Sequence, residues 1–149
     1  MNNILNYIKI NENISTAGQP TSEQFEKIKE EGFEIVINLA LSTATNALKN
    51  EDKIVTELGM TYIHLPVDFE EPKIEDVNKF LKIMLAFKDK KVFLHCAKNY
   101  RVTAFMYIYH KHVLNTAFDD IDISMFEQWS PSKNWQNLMK TDFQKLEIS

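Results

Sequence analysis

The sequence predicts an α/β domain with a central, mostly parallel sheet flanked by helices. Two observations predict it. Short β-branched runs, apolar on both faces, alternate along the chain with segments whose apolar residues recur at helical spacing. Turn and cap residues fall between them, and this order favours parallel strands joined by right-handed crossovers. At 149 residues, with 44% apolar and 26% charged residues, the chain suits one domain spanning 1–149 with a substantial core.

Ile14-Ser15-Thr16-Ala17 reads as a short edge strand ending at Gly18-Gln19-Pro20, after a polar, weakly patterned stretch from Ile8 to Asn13. Thr21 and Gln24 match a capping box, Phe25 and Ile28 mark the inward face of the helix that follows, and Gly32 closes it. Phe33 to Leu39 is a strand covered on both sides. Ala40 to Lys49 is a polar connection, and a helix from Asn50 to Leu58 turns Ile54 and Leu58 inward before Gly59. Met60 to Leu65 is the next strand, stopped by Pro66, and Val67 to Pro72 is an acidic loop.

Val77, Phe80, Leu81, Met84 and Phe87 give Glu75 to Lys88 the spacing of an amphipathic helix, acidic at its start and basic at its end. Val92-Phe93-Leu94 is a buried strand, and Val102 to Val113 is helical. Two further helices, Phe118 to Trp129 and Asn134 to Leu146, are separated at Ser130-Pro131. Phe118, Phe126, Trp129, Trp135 and Phe143 read as core.

Several classes are disfavoured. A formal charge of −4 gives no reason to expect nucleic acid as a partner. No apolar run reaches membrane-spanning length, and the amino terminus lacks the basic and apolar regions of a signal peptide. With one cysteine no internal disulfide forms, and a free thiol suits the cytoplasm, the expected location. No metal or cofactor is expected: His110 and His112 point to different faces of a helix, His64 alternates within a strand, and there is no second cysteine. Asp119, Asp120 and Asp122 read as a solvated helix start.

The chemistry concentrates in His95-Cys96-Ala97-Lys98-Asn99-Tyr100-Arg101, between the buried strand and the Val102 helix. A loop that opens a helix offers unpaired amides and the positive end of the helix dipole, so it favours an anion. A cysteine there is expected to have a depressed pKa and to be partly thiolate.

This run resembles the active-site loop of the cysteine-dependent phosphatases of the protein-tyrosine and dual-specificity superfamily. Ile14 to Thr21, Gly32 to Leu39, Trp129-Ser130-Pro131 and Trp135 extend the likeness to the small bacterial phosphatase-like family also found fused to β-lactamase-type hydrolases. The resemblance implies a phosphotyrosine-phosphatase-like fold and hydrolysis of a phosphate monoester on a phosphorylated substrate. It makes Cys96 the nucleophile and Arg101 the fork that holds two phosphate oxygens. The amides of Ala97, Lys98, Asn99 and Tyr100 complete the anion site, and His95 buttresses the loop and helps hold the thiolate.

The family pattern also requires an aspartate on a separate loop as general acid, and Asp68 is the candidate, with Glu70, Glu71 and Asp76 as rivals. Gln19, residues 41–46 and Phe69 are candidates for the rim.

The loop departs from the superfamily in having four residues between cysteine and arginine rather than five, with no glycine among them. That leaves one amide fewer for the anion and assigns the positive-φ position to Asn99. Val102 stands where a hydroxyl commonly follows the arginine. Thr103 either reaches Cys96 from the first helical turn or bonds a carbonyl within the helix. Rhodanese-type sulfurtransferases share the four-residue spacing, so a persulfide on Cys96 is the alternative reaction, and a non-catalytic phosphate-binding module is the third reading.

Overall fold

The computed structural model describes residues 1–141. Five strands form one sheet in the order β1-β2-β5-β3-β4: β1 (Ile8–Lys9), β2 (Ile14–Ala17), β3 (Ile35–Asn38), β4 (Thr61–His64) and β5 (Val92–His95). Only β1 runs antiparallel to its neighbour. The helices are α1 (Ser22–Glu30), α2 (Glu51–Glu57), α3 (Ile74–Ala86), α4 (Tyr100–Tyr109) and α5 (Lys133–Met139). None of them is long and apolar enough to cross a membrane.

Alternation along the strands builds two cores, one on each face of the sheet. Ile35, Ile37, Val92 and Leu94 face a cluster with Val77, Phe80, Leu81, Phe105 and Trp135 of α3, α4 and α5. Val36 and Phe93 face the other way, onto Phe25, Ile28 and Val55 of α1 and α2. The same parity continues beyond β5. His95 lies on the α1 side, edge-on to Phe25 at 5.9 Å, whereas Cys96 belongs to the α4 side.

In β5 this alternation decides the site. The strand pairs with β2 on one side and β3 on the other, with Ala17, His95 and Asn38 level across the three. Their connections leave the same edge in different directions, which makes the end of β5 a switch point where a ligand crevice opens.

The expected capping box is present: Gln24 N–H donates to Thr21 Oγ1 at 3.1 Å and Thr21 N–H to Gln24 Oε1 at 2.9 Å. Gly32 and Gly59 follow α1 and α2 with φ of 94° and 88°, conformations that stop a helix.

Four expectations change. Ile14–Ala17 is not an edge strand, because the two-residue β1 pairs with it through Ile8 and Lys9. In α2 it is Val55 that is fully buried, while Ile54 and Leu58 are half-buried against the same cluster. The helix after β5 begins two residues early, at Tyr100, and ends as a π-helical turn over His110–Leu114.

The helix expected over Phe118 to Trp129 is replaced by two 3₁₀ turns, Phe118–Asp120 and Ser124–Glu127, and Phe118 is 62% exposed rather than core. Asp122 explains the break: its Oδ1 accepts from Ser124 N–H at 2.9 Å and Ser124 Oγ at 2.6 Å, a local turn that competes with helix. The last expected helix is present as α5, and its continuation to Leu146, with Phe143, lies outside the described residues.

Candidate active site

β5 delivers His95 and Cys96 to the carboxyl edge of the sheet, and the chain then turns through Ala97, Lys98 and Asn99 into α4. The turn depends on Asn99, whose φ of 72° is the left-handed conformation expected of it. A non-glycine residue there costs about 1–2 kcal/mol, and the side chain offsets this by bonding. Asn99 Nδ2 donates to Asn6 carbonyl at 2.8 Å and to Thr16 Oγ1 at 3.0 Å, and its Oδ1 accepts from Thr103 Oγ1 at 3.3 Å. Thr103 thus braces the loop residue rather than a helical carbonyl.

Each carbonyl of the loop is tied on its outer side. His95 carbonyl accepts from Leu39 N–H at 2.9 Å, and Cys96 carbonyl from His95 Nδ1–H at 3.2 Å. Ala97 carbonyl accepts from Gln19 N–H at 3.1 Å and Asn46 Nδ2 at 2.9 Å, and Lys98 carbonyl from Asn6 Nδ2 at 2.9 Å. In a planar trans peptide the carbonyl and the following N–H point in opposite directions. Pinning the carbonyls of Cys96 and Ala97 therefore aims the amides of Ala97 and Lys98 at the inner side. Gly18 permits the close approach behind the loop, since a Cβ on it would sit 2.8 Å from Ala97 carbonyl and 2.9 Å from Leu5.

On the inner side is a cavity of about 230 Å³ lined by Phe69, Cys96, Ala97, Lys98, Tyr100 and Arg101. Cys96 forms part of its wall although only 1% of the residue is exposed, and Arg101 is 7% exposed. Arg101 Nη1 donates to Val67 carbonyl at 3.0 Å, and its guanidinium lies 5.5 Å from the centre of the Phe69 ring. Arg101 Nε is buried and has no partner among the described residues. A buried cation with an unused donor, beside a thiol and inward amides, is suited to an oxyanion. Tyr100 is stacked on Trp129 at 5.2 Å with 4° between the rings, so it forms an aromatic wall of the cavity.

The loop carrying Asp68 reaches the same rim through Val67 and Phe69. Asp68 itself is exposed and forms a local turn: its Oδ1 accepts from Glu70 N–H at 2.8 Å and Glu71 N–H at 3.2 Å. Phe69, a rim candidate, is in the cavity wall. Of the other rim candidates, Asn46 holds the Ala97 carbonyl, while Gln19, Leu41 and Ser42 line a separate cavity of about 430 Å³ with Asn38, Glu51, Tyr62 and His64.

Two participants, Asn6 and Glu51, are not evident in the sequence, and Gln19, expected at the rim, has a different place. Asn6 and Gln19 hold the loop from behind, and Glu51, 5% exposed at the first turn of α2, accepts from Gln19 Nε2 at 2.7 Å and pairs with His95 Nε2 at 2.6 Å. Burial alone would raise the Glu51 carboxyl pKa, but the hydrogen bond and charge of His95, with the Gln19 bond, hold it below the ordinary carboxylate value. Burial, with the nearby Glu51 charge, pushes the Tyr62 phenol far above its usual range. No His, Asp, Glu or Cys grouping among the described residues has the makings of a metal site.

Comparison with known proteins bears on the family and the fold. The family model described as a DSP-PTPase phosphatase fused to NAD+ kinase matches residues 8–145. The solved structure of a DUF442 phosphatase from Shewanella putrefaciens CN-32 is 32% identical, covering 93% of this chain and 91% of that one with a TM-score of 0.86. More distant structures share the fold. P. aeruginosa TpbA, solved as a cysteine variant in complex with pTyr, is 13% identical over 95% of this chain and 88% of that one with a TM-score of 0.73. PTPMT1, solved in complex with PI(5)P, is 17% identical over 90% of this chain and 92% of that one with a TM-score of 0.73. A search of the curated proteins gave no match. By the extent of the family match and the identity to the Shewanella structure, the chain belongs to the DSP-PTPase phosphatase family.

Proposed function

We propose that the protein hydrolyses phosphate monoesters through a cysteinyl-phosphate intermediate. The observation that carries this reading is the partnerless Nε of buried Arg101 beside Cys96, in a cavity backed by a loop whose carbonyls are held away from it. The substrate phosphate takes the inward amides and the guanidinium fork. The Cys96 thiolate attacks phosphorus in line, an S–P bond forms, and the P–O bond to the alcohol breaks.

Asp68 donates its proton to the departing oxygen. Both turn bonds fall on its Oδ1, so Oδ2 is the oxygen that carries the proton. The Asp68 carboxylate then takes a proton from water, the resulting hydroxide attacks phosphorus, and the S–P bond breaks to return the thiolate. Amides and arginine stabilise charge on the equatorial oxygens in both steps.

The substrates we propose are phosphorylated alcohols and phenols, phosphotyrosine among them. The aromatic walls Phe69 and Tyr100 suit an aryl group, and the pTyr complex of TpbA lends support to the same class.

The test is hydrolysis of an aryl phosphate by the wild type and by Cys96→Ser. Loss of turnover below detection, with a phosphocysteine mass trapped on the wild type by rapid acid quench, is the expected outcome. Activity that survives the substitution refutes the reading. A persulfide on Cys96 with thiosulfate sulfur transfer would assign the rhodanese-like reaction, and vanadate binding with neither turnover would leave a binding module.

A further inference from the structure

Behind the loop, on the face of the sheet opposite to Cys96, is a buried pair that the proposed reaction does not use directly. His95 is fully buried and both its ring nitrogens face acceptors: Nδ1 the Cys96 carbonyl at 3.2 Å and Nε2 the Glu51 carboxylate at 2.6 Å. Two bonds to acceptors need two hydrogens. Either the ring is an imidazolium beside a carboxylate, or a neutral ring faces a protonated Glu51. Gln19 Nε2 donates to the other Glu51 oxygen at 2.7 Å, which favours the ionised carboxylate, as does the depressed Glu51 pKa.

We infer that Glu51 is a positioning residue that acts through His95, keeping its ring an imidazolium whose Nδ1–H holds the Cys96 carbonyl and whose charge favours the Cys96 thiolate. The inference rests on the reading of Cys96 as a working thiolate. It gives a purpose to an acidic residue buried at the start of α2, where an exposed carboxylate would complement the helix dipole equally well.

The charged and titratable groups around the pair come from several elements. Tyr62 and His64 of β4 and Asp52 of α2 line the 430 Å³ cavity with Glu51. Lys98 and Arg101 lie on the Cys96 side, and α1 presents the ring of Phe25. Lys98 and Arg101 favour a thiolate on their own account, so the contribution of Glu51 is measured by its removal.

Cys96 is the only cysteine, which makes alkylation by iodoacetamide a clean report of its thiolate fraction. In Glu51→Gln the alkylation profile against pH is expected to move up by about one unit, a reaction roughly tenfold slower on the low-pH limb where little thiolate is present. Glu51→Asp, which keeps the charge, is expected to restore part of the rate. In a His95→Asn background the Glu51→Gln change is expected to have no further effect, whereas a merely structural role would still perturb the site.

Ring ¹⁵N shifts of His95 in the wild type at pH 7 are expected to be those of an imidazolium, a measurement that requires no variant to fold. A neutral ring, or an unchanged alkylation profile in folded Glu51→Gln, would overturn the inference. Neither readout involves turnover, so the proposed phosphatase activity fails or stands separately, on hydrolysis by Cys96→Ser.

Discussion

In the Cys96 loop and the Asp68 loop the backbone carbonyls are held by donors from distant segments, but the amides are put to different uses. Around Cys96, Asn6, Gln19, Leu39 and Asn46 bind the carbonyls, and the amides of Ala97 and Lys98 are left aimed at the cavity. In the other loop Arg101, Trp135 and Asn134 bind the carbonyls of Val67, Phe69 and Glu70 at 3.0, 2.7 and 3.0 Å. There the amides of Glu70 and Glu71 are taken by Asp68 itself. In the proposed mechanism one loop is the anion site and the other is a frame that presents the Asp68 carboxylate. On that reading anion binding and proton transfer rest on largely separate supports, joined through the Arg101 bond to Val67, so substitutions should be able to damage one and spare the other.

The largest effect that separates them is expected from Asp68→Asn. Asparagine retains an oxygen to accept from the Glu70 and Glu71 amides, so the turn is kept while the acid is lost. With an alkyl phosphate, whose alcohol is a poor leaving group, kcat is expected to fall about 10²-fold or more. Vanadate affinity should change less than about threefold, since the loss falls on proton transfer and spares uniform binding. Steady-state kinetics and a vanadate titration check both. An unchanged kcat would remove Asp68 from the mechanism, and a matching loss of vanadate affinity would show that the two loops are not separable.

The contrast also explains what was legible in the sequence. Cys96, Asn99 and Arg101 lie within six consecutive residues at a strand-to-helix junction, where the resemblance to a phosphatase loop singles out Cys96 and Arg101 and conformational preference anticipates the positive φ of Asn99. Their supports come from elsewhere in the chain: Asn6 from the segment before β1, Gln19 from the turn after β2, and Glu51 from α2. Crossover topology brings these together, and no local pattern encodes that. Glu51 is also ambiguous by type, because an acidic residue in the first turn of a helix is ordinary.

β3 and β5 were readable because burial on both faces demands continuous apolar runs. The two-residue β1 was not, being too short to show a period. The Phe118 to Trp129 segment misled because its apolar spacing fits a helix while its Asp122 side chain supports a turn.

A second, smaller separation is expected from Asn99. Asn99→Ala removes bonds to Asn6 and Thr16 and places a residue with a Cβ at a φ of 72°. Asn99→Gly removes the same bonds but accepts that φ freely. The loss of buried bonds should cost about 1–3 kcal/mol in either variant, and alanine should be less stable than glycine by about 1–2 kcal/mol. Urea denaturation measures both. Vanadate affinity should weaken in both variants and more in alanine, because the distortion falls on the anion loop. Equal stabilities would show that the loop relaxes out of the left-handed conformation without loss.

The smallest effect probes the other frame. Trp135 is fully buried, and its Nε1–H donates to Phe69 carbonyl at 2.7 Å, while its ring packs against Phe69, Phe105 and Trp129. Trp135→Phe keeps an aromatic ring but leaves that carbonyl without its donor, at a cost of about 1 kcal/mol. For a chain of this length that is a fall of about 3 °C in Tm. Because the lost bond fixes the residue next to Asp68, kcat on an alkyl phosphate should drop about threefold while vanadate affinity stays unchanged, the pattern of a misplaced acid. A variant that instead weakens vanadate binding would place the effect on Arg101, which bonds Val67 in the same loop and lies over the Phe69 ring. The Phe69 segment would then be a shared wall of both machines, and their independence would end at that residue.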